Sequence, residues 1–276
     1  MDLKLKGKSI IVTGGASNVG RAIVLGFAAE GCNVAIADID TKQGERVRKE
    51  CDELKAGGRA IVVPCDVTDW ESVQSMAKKV NDEFGKIDVL VNNAGGTVNK
   101  FFVETPRSDW ERDINLNLWG TINCTRAVLD YMMPAKSGNV INISSDGGRT
   151  GDPTQVVYGA TKAGVISMVK SLSKELTQRY GIRFNAISPG FTPPVDYEKS
   201  VGEKSWFVPG GELEQAIGAL TPERLEKSVK FGGYVTGRLG RPEDIANAVL
   251  FFASDAVCSH IAGQTLSVSG GYSMIG

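Results

Sequence analysis

The chain has 276 residues, of which 42% are hydrophobic and 23% are charged, and its formal net charge is −1. This composition is typical of a globular protein with a sizeable core, and the balanced charge gives no electrostatic reason to expect a nucleic-acid or anionic-membrane partner. No apolar run approaches the roughly 18 residues of a membrane span, and the N-terminus leads directly into a strand, so we expect a cytoplasmic protein without a signal peptide.

Cysteine and histidine usage excludes several kinds of site. The five cysteines are scattered and form no CxxC pair, which indicates reduced thiols and neither a disulfide framework nor a zinc site. The single histidine, His260, rules out a His-rich metal centre, and we interpret it as structural. We therefore expect no bound metal.

The chain begins with a strand, a glycine-containing turn and a helix. Residues 9–13 are a short β-branched run that predicts a buried strand. The turn 14–20 contains three glycines, and residues 21–30 have the apolar spacing of a helix. The N-terminus of such a helix presents free N–H groups and the positive end of a dipole to a phosphate. Alone, this turn is a weak indication of a nucleotide site.

The second strand, residues 33–38, strengthens that interpretation. It ends at Asp38, eighteen residues after Gly20, where a dinucleotide-binding fold needs a carboxylate for the adenosine ribose hydroxyls. Such a carboxylate would repel a 2′-phosphate, so the sequence favours NAD over NADP. The alternative is a solvated acid at a strand end, as we expect Asp40 to be.

Helices and strands continue to alternate along the chain. The patterns predict helices over about 43–54, 70–84 and 106–133, strands over 60–64, 88–91, 139–143 and 182–188, and a last strand within 263–271. Repeated βα units with apolar strands predict an α/β fold, a single domain over 1–276 with a doubly wound parallel sheet of the Rossmann type and seven strands. In such sheets ligands bind at the C-terminal ends of the strands.

A pair of residues after the fifth strand suggests acid–base chemistry. Tyr158 and Lys162 are four residues apart and share one face of a predicted helix. An ammonium near a phenol favours the phenolate, so we expect the pKa of Tyr158 to be lowered toward neutrality. Ser145 ends the preceding strand and could hydrogen-bond the oxygen that Tyr158 protonates. The alternative, an ordinary amphipathic pair, does not explain why all these residues fall at strand ends.

Residues 191–236 interrupt the alternating pattern. They combine prolines and glycine pairs with aromatic residues, among them Trp206 and Phe207. The segment is too long for an ordinary connection and too aromatic for a disordered linker, so we expect a partly helical lid over the site. Its aromatic content favours an apolar or ring-bearing substrate.

Six motifs in order resemble those of the short-chain dehydrogenase/reductase family, over roughly residues 5–271. They are Thr13-Gly14…Gly20, Asp66-Val67, Asn92-Asn93-Ala94-Gly95, Asn117, Ser145 with Tyr158-x-x-x-Lys162, and Pro189-Gly190. Each motif alone is weak, but the ordered set is highly specific. The family's spacing of thirteen residues between serine and tyrosine selects Ser145 over Ser144.

The resemblance implies hydride transfer between a nicotinamide cofactor and a carbinol or carbonyl carbon of a small-molecule substrate. Tyr158 would be the general acid–base, Lys162 would bind the nicotinamide ribose, Ser145 would orient the substrate oxygen, and Asn117 would hold a proton-relay water. The resemblance also implies a homo-oligomer, a tetramer or dimer. The cofactor-binding residues that it implies are Gly14, Ser17, Asn18, Val19, Gly20, Asp38, Ile39, Asp66, Val67, Asn93, Ala94, Gly95, Tyr158, Lys162, Pro189, Gly190 and Thr192.

Two positions depart from the family pattern. Asn18 stands where the family has its second glycine, and its side chain could crowd the pyrophosphate, although asparagine tolerates a left-handed backbone. Pro194 stands where the family has a threonine that meets the carboxamide, and Thr192 is the candidate to replace it.

The substrate is the most open question. The runs Ser145-Asp-Gly-Gly-Arg149 and 158–166 are similar to those of alicyclic or aromatic β-hydroxyacyl-CoA dehydrogenases, the 2-hydroxycyclohexanecarboxyl-CoA type being nearest. Candidate substrate residues are Ser145, Arg149, Trp206 and Phe207, although Arg149 could equally be a surface or interface residue. The alternatives are a polyol, steroid or acyl-carrier-protein ketone as substrate, or a non-catalytic dinucleotide-binding subunit.

Overall fold

The structure, a computed structural model, describes residues 2–274, and of Phe231 only the backbone. Its centre is a seven-stranded sheet in the order β3-β2-β1-β4-β5-β6-β7, with every neighbouring pair parallel. The strands are β1 Ser9–Thr13, β2 Asn33–Asp38, β3 Ala60–Pro64, β4 Val89–Asn92, β5 Gly138–Ile143, β6 Ile182–Pro189 and β7 Thr265–Val268. The predicted doubly wound α/β sheet is confirmed.

Helices connect the strands. They are α1 Asn18–Ala29, α2 Thr41–Glu53, α3 Trp70–Phe84, α4 Arg107–Ile114, α5 Gly120–Ala135, α6 Gly147–Thr150, α7 Val156–Leu172, α8 Gln178–Tyr180, α9 Tyr197–Ser200, α10 Glu212–Ile217, α11 Pro222–Phe231, α12 Pro242–Ala253 and α13 Asp255–Cys258. A 3₁₀ turn spans Phe102–Glu104, and π-turns span Asn115–Trp119 and Ser173–Thr177. None of the helices within residues 2–274 is both long and apolar enough to cross a bilayer.

Helices cover both faces of the sheet, which is why the strands are continuously apolar. On one face, Phe27 of α1 and Ile245 of α12 pack on the sheet within one buried cluster. On the other face, Met76 of α3, Val128 of α5 and Val169 of α7 belong to a second buried cluster. The strand order reverses between β1 and β4, so their C-terminal ends form the crevice in which this architecture binds ligands.

The predicted helix over 106–133 is not continuous. The π-turn Asn115–Trp119 separates α4 from α5. The side-chain amide of Asn117 donates to the Asp113 carbonyl at 2.9 Å, the acceptor that the Asn117 backbone N–H would use in an α-helix. Such competition by a side chain favours a local departure from the α-helix, and π-turns are frequent at functional sites.

The segment 191–236 is partly helical, as predicted, because it contains α9, α10 and α11. Thr221 begins α11 by accepting a hydrogen bond from the Arg224 N–H at its side-chain oxygen, and Pro222 occupies the first turn. We call residues 191–236 the lid.

Candidate active site

The turn between β1 and α1 has no room for side chains at two of its glycines. Gly14 has φ +62°, a conformation that favours glycine, and a Cβ placed on Gly20 would lie 1.9 Å from the Gly14 carbonyl oxygen. At these glycines no side chain covers the backbone where α1 begins. A phosphate can therefore approach the N-terminus of the helix. These residues fit the pyrophosphate of a dinucleotide.

Hydrogen bonds connect the C-terminal ends of β1 and β4 at the bottom of this crevice. The Asn93 side-chain amide donates to the carbonyls of Thr13 and Gly14, each at 3.0 Å. The Thr13 hydroxyl accepts from the backbone N–H groups of Asn93 and Ala94 at 3.0 and 3.1 Å. Thr13 thus fixes the β4 turn against the glycine turn, a role that its place in the motif did not reveal.

Asp38 lies at the end of β2 and supports the same turn. Its carboxylate accepts from the N–H groups of Ala16 at 2.9 Å and Asp40 at 2.8 Å. Burial raises the pKa of Asp38, and these two N–H donors oppose that rise. A carboxylate has capacity for further donors, so Asp38 can still accept from ribose hydroxyls.

The Asn18 side chain is directed at the start of the lid. The residue adopts φ +44°, is buried, and donates from its side-chain amide to the Thr192 carbonyl at 3.0 Å. The Thr192 hydroxyl in turn donates to the Gly190 carbonyl at 3.0 Å. Asn18 therefore connects the cofactor turn to the start of the lid.

Two further predicted cofactor residues, Asp66 and Val67, follow the end of β3. Asp66 is exposed and accepts from the Thr68 N–H at 2.9 Å, which shapes its own turn. Val67 is buried, and its carbonyl accepts from the Asn123 amide at 3.0 Å. The other predicted cofactor residues lie in the turns after β1, β2 and β4, in the first turn of α1, or at the end of β6 and just after it. They are Ser17, Val19, Ile39, Gly95, Pro189 and Gly190.

The lid also contacts the predicted cofactor residues that follow β1 and β2, which the sequence did not predict. The Gly202 N–H donates to the Ser17 hydroxyl at 3.3 Å, and the Gln43 amide donates to the Lys199 carbonyl at 2.8 Å. The Lys204 ammonium donates to the Ile39 carbonyl at 3.0 Å. Residues 199–204 therefore lie against the turns that follow β1 and β2.

The predicted catalytic residues come together at the ends of β5 and α7. The Ser145 hydroxyl is hydrogen-bonded to the Tyr158 phenol. The Ser144 hydroxyl instead donates to the Lys162 carbonyl at 2.9 Å. The structure therefore brings Ser145 rather than Ser144 to the tyrosine.

The spacing of the two residues predicts that Lys162 lowers the pKa of Tyr158. For the protein without a bound cofactor, this prediction is wrong. The Lys162 ammonium donates to the Ile143 carbonyl at 3.0 Å and lies 5.5 Å from the centre of the Tyr158 ring. Burial raises the pKa of Tyr158 to about 12, and burial lowers the pKa of Lys162 to about 8. The spacing of four residues did not reveal that both groups are desolvated and that the ammonium faces a carbonyl.

Asn117 is fully buried beside these residues. Its amide donates to the Gly96 carbonyl at 2.9 Å, and its side-chain oxygen accepts from the Gly96 N–H at 3.0 Å. A Cβ placed on Gly95 would lie 2.7 Å from the Asn117 oxygen and 3.0 Å from the Lys162 nitrogen. Gly95 therefore lies between two of the predicted catalytic side chains, where a larger residue would not fit.

Trp206 of the lid lies beside the loop that follows β4. Its indole lies against Gly96, where a Cβ would be 2.0 Å from the indole nitrogen, and the Arg112 guanidinium lies 5.4 Å from its ring centre. Lid residues, Trp206 among them, line a pocket of about 210 Å³ that is partly open to solvent. Its walls include Tyr197, Phe207, Leu213, Ile217 and Leu220.

Arg149 follows the predicted catalytic serine, Ser145, by four residues and is mostly buried. Its side chain is 15% exposed and lies 3.9 Å from the Asp146 carboxylate. Asp146 is fully buried and accepts from the hydroxyls of Ser267, at 2.8 Å, and Ser273. Arg149 therefore lies beside a buried carboxylate of its own turn, and that carboxylate is fixed by hydroxyls near the C-terminus. That Arg149 binds the acyl group stays a prediction. Within residues 2–274, no group of three or more His, Cys, Asp or Glu side chains is arranged to hold a metal ion.

Comparison with known proteins decides the family. Residues 8–206 match the family model described as short chain dehydrogenase. The chain belongs to this family. The short-chain dehydrogenases are oxidoreductases that use a nicotinamide dinucleotide, in agreement with the glycine turn and its bare backbone.

Several curated relatives cover nearly the whole chain. A protein named 3-oxoacyl-(acyl-carrier-protein) reductase FabG from Thermotoga maritima is 37% identical over 98% of this chain and 99% of its own length. The protein of that name from Staphylococcus aureus strain Mu50 is 36% identical over 97% and 98%. A 3-oxoacyl-(acyl-carrier-protein) reductase from Synechocystis is 35% identical over 96% of both chains. This short-chain dehydrogenase is thus similar along its full length to ketone reductases.

Proposed function

We propose that this short-chain dehydrogenase interconverts a secondary alcohol and a ketone with NAD as its cofactor. The observation that carries the proposal is the hydrogen bond between Ser145 and Tyr158, with Lys162 buried beside them at the strand ends that border the glycine turn. A bound nicotinamide dinucleotide supplies the hydride donor or acceptor. The protein must then orient one oxygen of the substrate and move one proton.

The described side chains support a proton donor at neutral pH. With a pKa of about 12, the Tyr158 phenol keeps its proton and can donate it to a ketone oxygen held by Ser145. With a pKa of about 8, roughly nine-tenths of Lys162 is ammonium at pH 7. In the oxidative direction the same phenol oxygen receives the proton of the substrate hydroxyl, which requires a higher pH or further stabilisation of the phenolate.

The preference for NAD rests on Asp38. Its carboxylate stands at the end of β2, fixed by two backbone N–H groups, where the adenosine ribose of a dinucleotide binds in this fold. It can accept hydrogen bonds from both ribose hydroxyls but repels a phosphate on the 2′ oxygen. The nearby Lys204 ammonium is already engaged by the Ile39 carbonyl.

For the substrate we propose an apolar, ring-bearing β-hydroxyacyl thioester, in the first instance an alicyclic or aromatic β-hydroxyacyl-CoA. The partly open pocket of about 210 Å³ that Trp206 and other lid residues line supports a ring, since an apolar cavity of about 150 Å³ is enough to bind benzene in another protein. A second candidate, the 3-oxoacyl thioester of acyl carrier protein, is favoured by the names of the relatives. Both candidates undergo the same reaction at the carbon β to the thioester.

An activity screen tests these proposals. The purified chain is assayed in both directions with NAD and NADP against simple secondary alcohols, polyols, a steroid, and acyl thioesters of CoA and of acyl carrier protein, each thioester with a linear or a cyclohexyl acyl group. We expect turnover with NAD and the highest kcat/KM for cyclic acyl-CoA. The Tyr158→Phe variant is the control for contaminating activity. Cofactor binding without turnover of any alcohol or ketone would instead indicate a non-catalytic dinucleotide-binding subunit.

We also propose a homo-oligomer, a tetramer or dimer. Apolar side chains near α4 and α5 support it, because Phe101 is 62%, Val103 91% and Trp119 52% exposed in the single chain. Light scattering coupled to gel filtration measures the mass, and a monomer at micromolar concentration would refute the proposal. A cytoplasmic location stays a prediction.

A further inference from the structure

A buried carboxylate near the catalytic residues has no part in the proposed mechanism. Asp113 lies in the last turn of α4 and is only 8% exposed. One of its oxygens accepts from the Thr97 hydroxyl at 2.7 Å, and its backbone carbonyl accepts from the Asn117 amide at 2.9 Å. Thr97 follows Gly96, which is itself paired with Asn117. Asp113 is therefore fixed to the same loop that borders Lys162.

A buried ammonium needs a negative partner to remain charged. Lys162 is 3% exposed, and its hydrogen bond is to a neutral carbonyl, that of Ile143. The carboxylate that acts on the Lys162 ammonium is that of Asp113. Burial lowers the pKa of Lys162, and Asp113 opposes that effect.

The charged groups around this pair are few. Burial raises the pKa of the Asp113 carboxyl, and the hydrogen bond from Thr97 opposes that rise. Arg112 of the same helix and Lys162 of α7 also lower this pKa, whereas Asp109 raises it. Tyr158 interacts with Asp113 and with Asp152. Asp109 is engaged elsewhere, since it pairs with Lys100 at 2.9 Å.

We propose that Asp113 is a positioning residue whose carboxylate, oriented by Thr97, keeps the buried Lys162 ammonium protonated. The charge on Lys162 itself does not depend on the proposed function, whereas the consequence for turnover does. Asp113 acts through Lys162 and does not need to touch the substrate. Its loss would leave Lys162 neutral over part of the physiological pH range.

The test is a pH titration of the lysine signals in the cofactor-free chain by heteronuclear NMR, with Lys162→Gln used to assign the Lys162 signal. We expect Lys162 of the wild-type chain to titrate near pH 8. In Asp113→Asn its midpoint should fall by about one pH unit or more, the scale of losing a nearby opposite charge. Thr97→Val, which removes only the hydroxyl, should shift the midpoint in the same direction by less. Circular dichroism shows whether each variant is folded.

Asp109→Asn is the matched control. It removes a carboxylate one turn earlier on α4 and should leave the Lys162 midpoint within about 0.3 pH units, well below the change expected for a direct partner. A midpoint equally unmoved in folded Asp113→Asn, or in folded Thr97→Val if the first variant does not fold, would overturn the proposal.

The pH dependence of kcat provides a second, independent test. In Asp113→Asn the alkaline limb of the kcat profile that reports Lys162 should move to lower pH, so that activity at pH 8 falls more than activity at pH 6. If the NMR midpoint moves but the wild-type chain turns over no substrate, the proposed function fails and the role of Asp113 stands. If turnover is normal and the midpoint does not move, only the role of Asp113 fails.

Discussion

Two substitutions of Asp38 test whether the protein prefers NAD to NADP. They remove the same charge but different numbers of hydrogen-bond acceptors. Asp38→Asn removes the negative charge and keeps one side-chain oxygen. Because Ala16 and Asp40 donate to different oxygens of Asp38, this variant also leaves one of the two N–H groups without an acceptor. Asp38→Ala removes the charge and both acceptors, which leaves the N–H groups of Ala16 and Asp40 without the partners that they have at 2.9 and 2.8 Å. Both variants lose the charge, and they differ in whether one or both of the backbone contacts that support the glycine turn are lost.

The size of each effect follows from these contacts. A hydrogen bond between a ribose hydroxyl and a carboxylate contributes about 1.5–3 kcal/mol, and each 1.4 kcal/mol is about tenfold in affinity. A single charge about 5 Å from a 2′-phosphate adds roughly 3 kcal/mol of repulsion per unit charge at an effective dielectric constant of about 20. We therefore expect at least about tenfold higher kcat/KM with NAD than with NADP. Asp38→Asn should narrow this ratio mainly by improving NADP.

Asp38→Ala should behave differently. Each unpaired N–H adds about 1–3 kcal/mol of cost, so the turn itself is destabilised and the affinity for both cofactors should fall. Fluorescence titration with NADH and NADPH gives the dissociation constants, and thermal unfolding separates loss of fold from loss of binding. Equal affinity of the wild-type chain for the two cofactors, or an unchanged ratio in Asp38→Asn, would refute the role given to this carboxylate.

Three further substitutions test the rest of the site. Tyr158→Phe should fold and bind NADH normally yet lose about 10²–10⁴-fold in kcat, because only the proton-transfer group is removed; activity within about threefold of wild type contradicts that role. Gly96→Ala places a methyl group 2.0 Å from the Trp206 indole nitrogen, so the indole must move, and KM should rise for cyclic substrates more than for a small alcohol. Arg149→Ala should raise KM for an acyl-CoA alone if the guanidinium binds the acyl group. An equal loss for a small alcohol, with a lower melting temperature, indicates that Arg149 supports the fold.

The sheet could be predicted because its sequence pattern is local. Strands buried on both faces are continuous apolar runs, and residues 70–84 gave the bounds of α3 without error. The placement of candidate residues at strand ends followed from the sheet topology alone. This is why Asp38, Ser145 and the Tyr158 helix lie in one crevice, as the sequence indicated.

The features that could not be predicted depend on where side chains point. The π-turn arises because the Asn117 amide takes a helix carbonyl, and no apolar period reports that bond. The pKa of Tyr158 depends on burial and on the direction of the Lys162 ammonium, which a spacing of four residues leaves open. The contact between Gly202 and Ser17 joins residues 185 apart in the chain, beyond the reach of any local pattern.

The contact with the lid explains why an asparagine, Asn18, stands where the family pattern has a glycine. A glycine at this position would adopt φ +44° more easily, but it would lack the amide that holds the Thr192 carbonyl. Asparagine tolerates the left-handed backbone and supplies that donor. Because the side chain is directed at the lid, the substitution no longer argues for a chain that has lost its cofactor. The same lid contacts the cofactor turn through Gly202 and the loop that follows β4 through Trp206, so a change in the turn on cofactor binding has a direct structural path to a residue that lines the lid pocket.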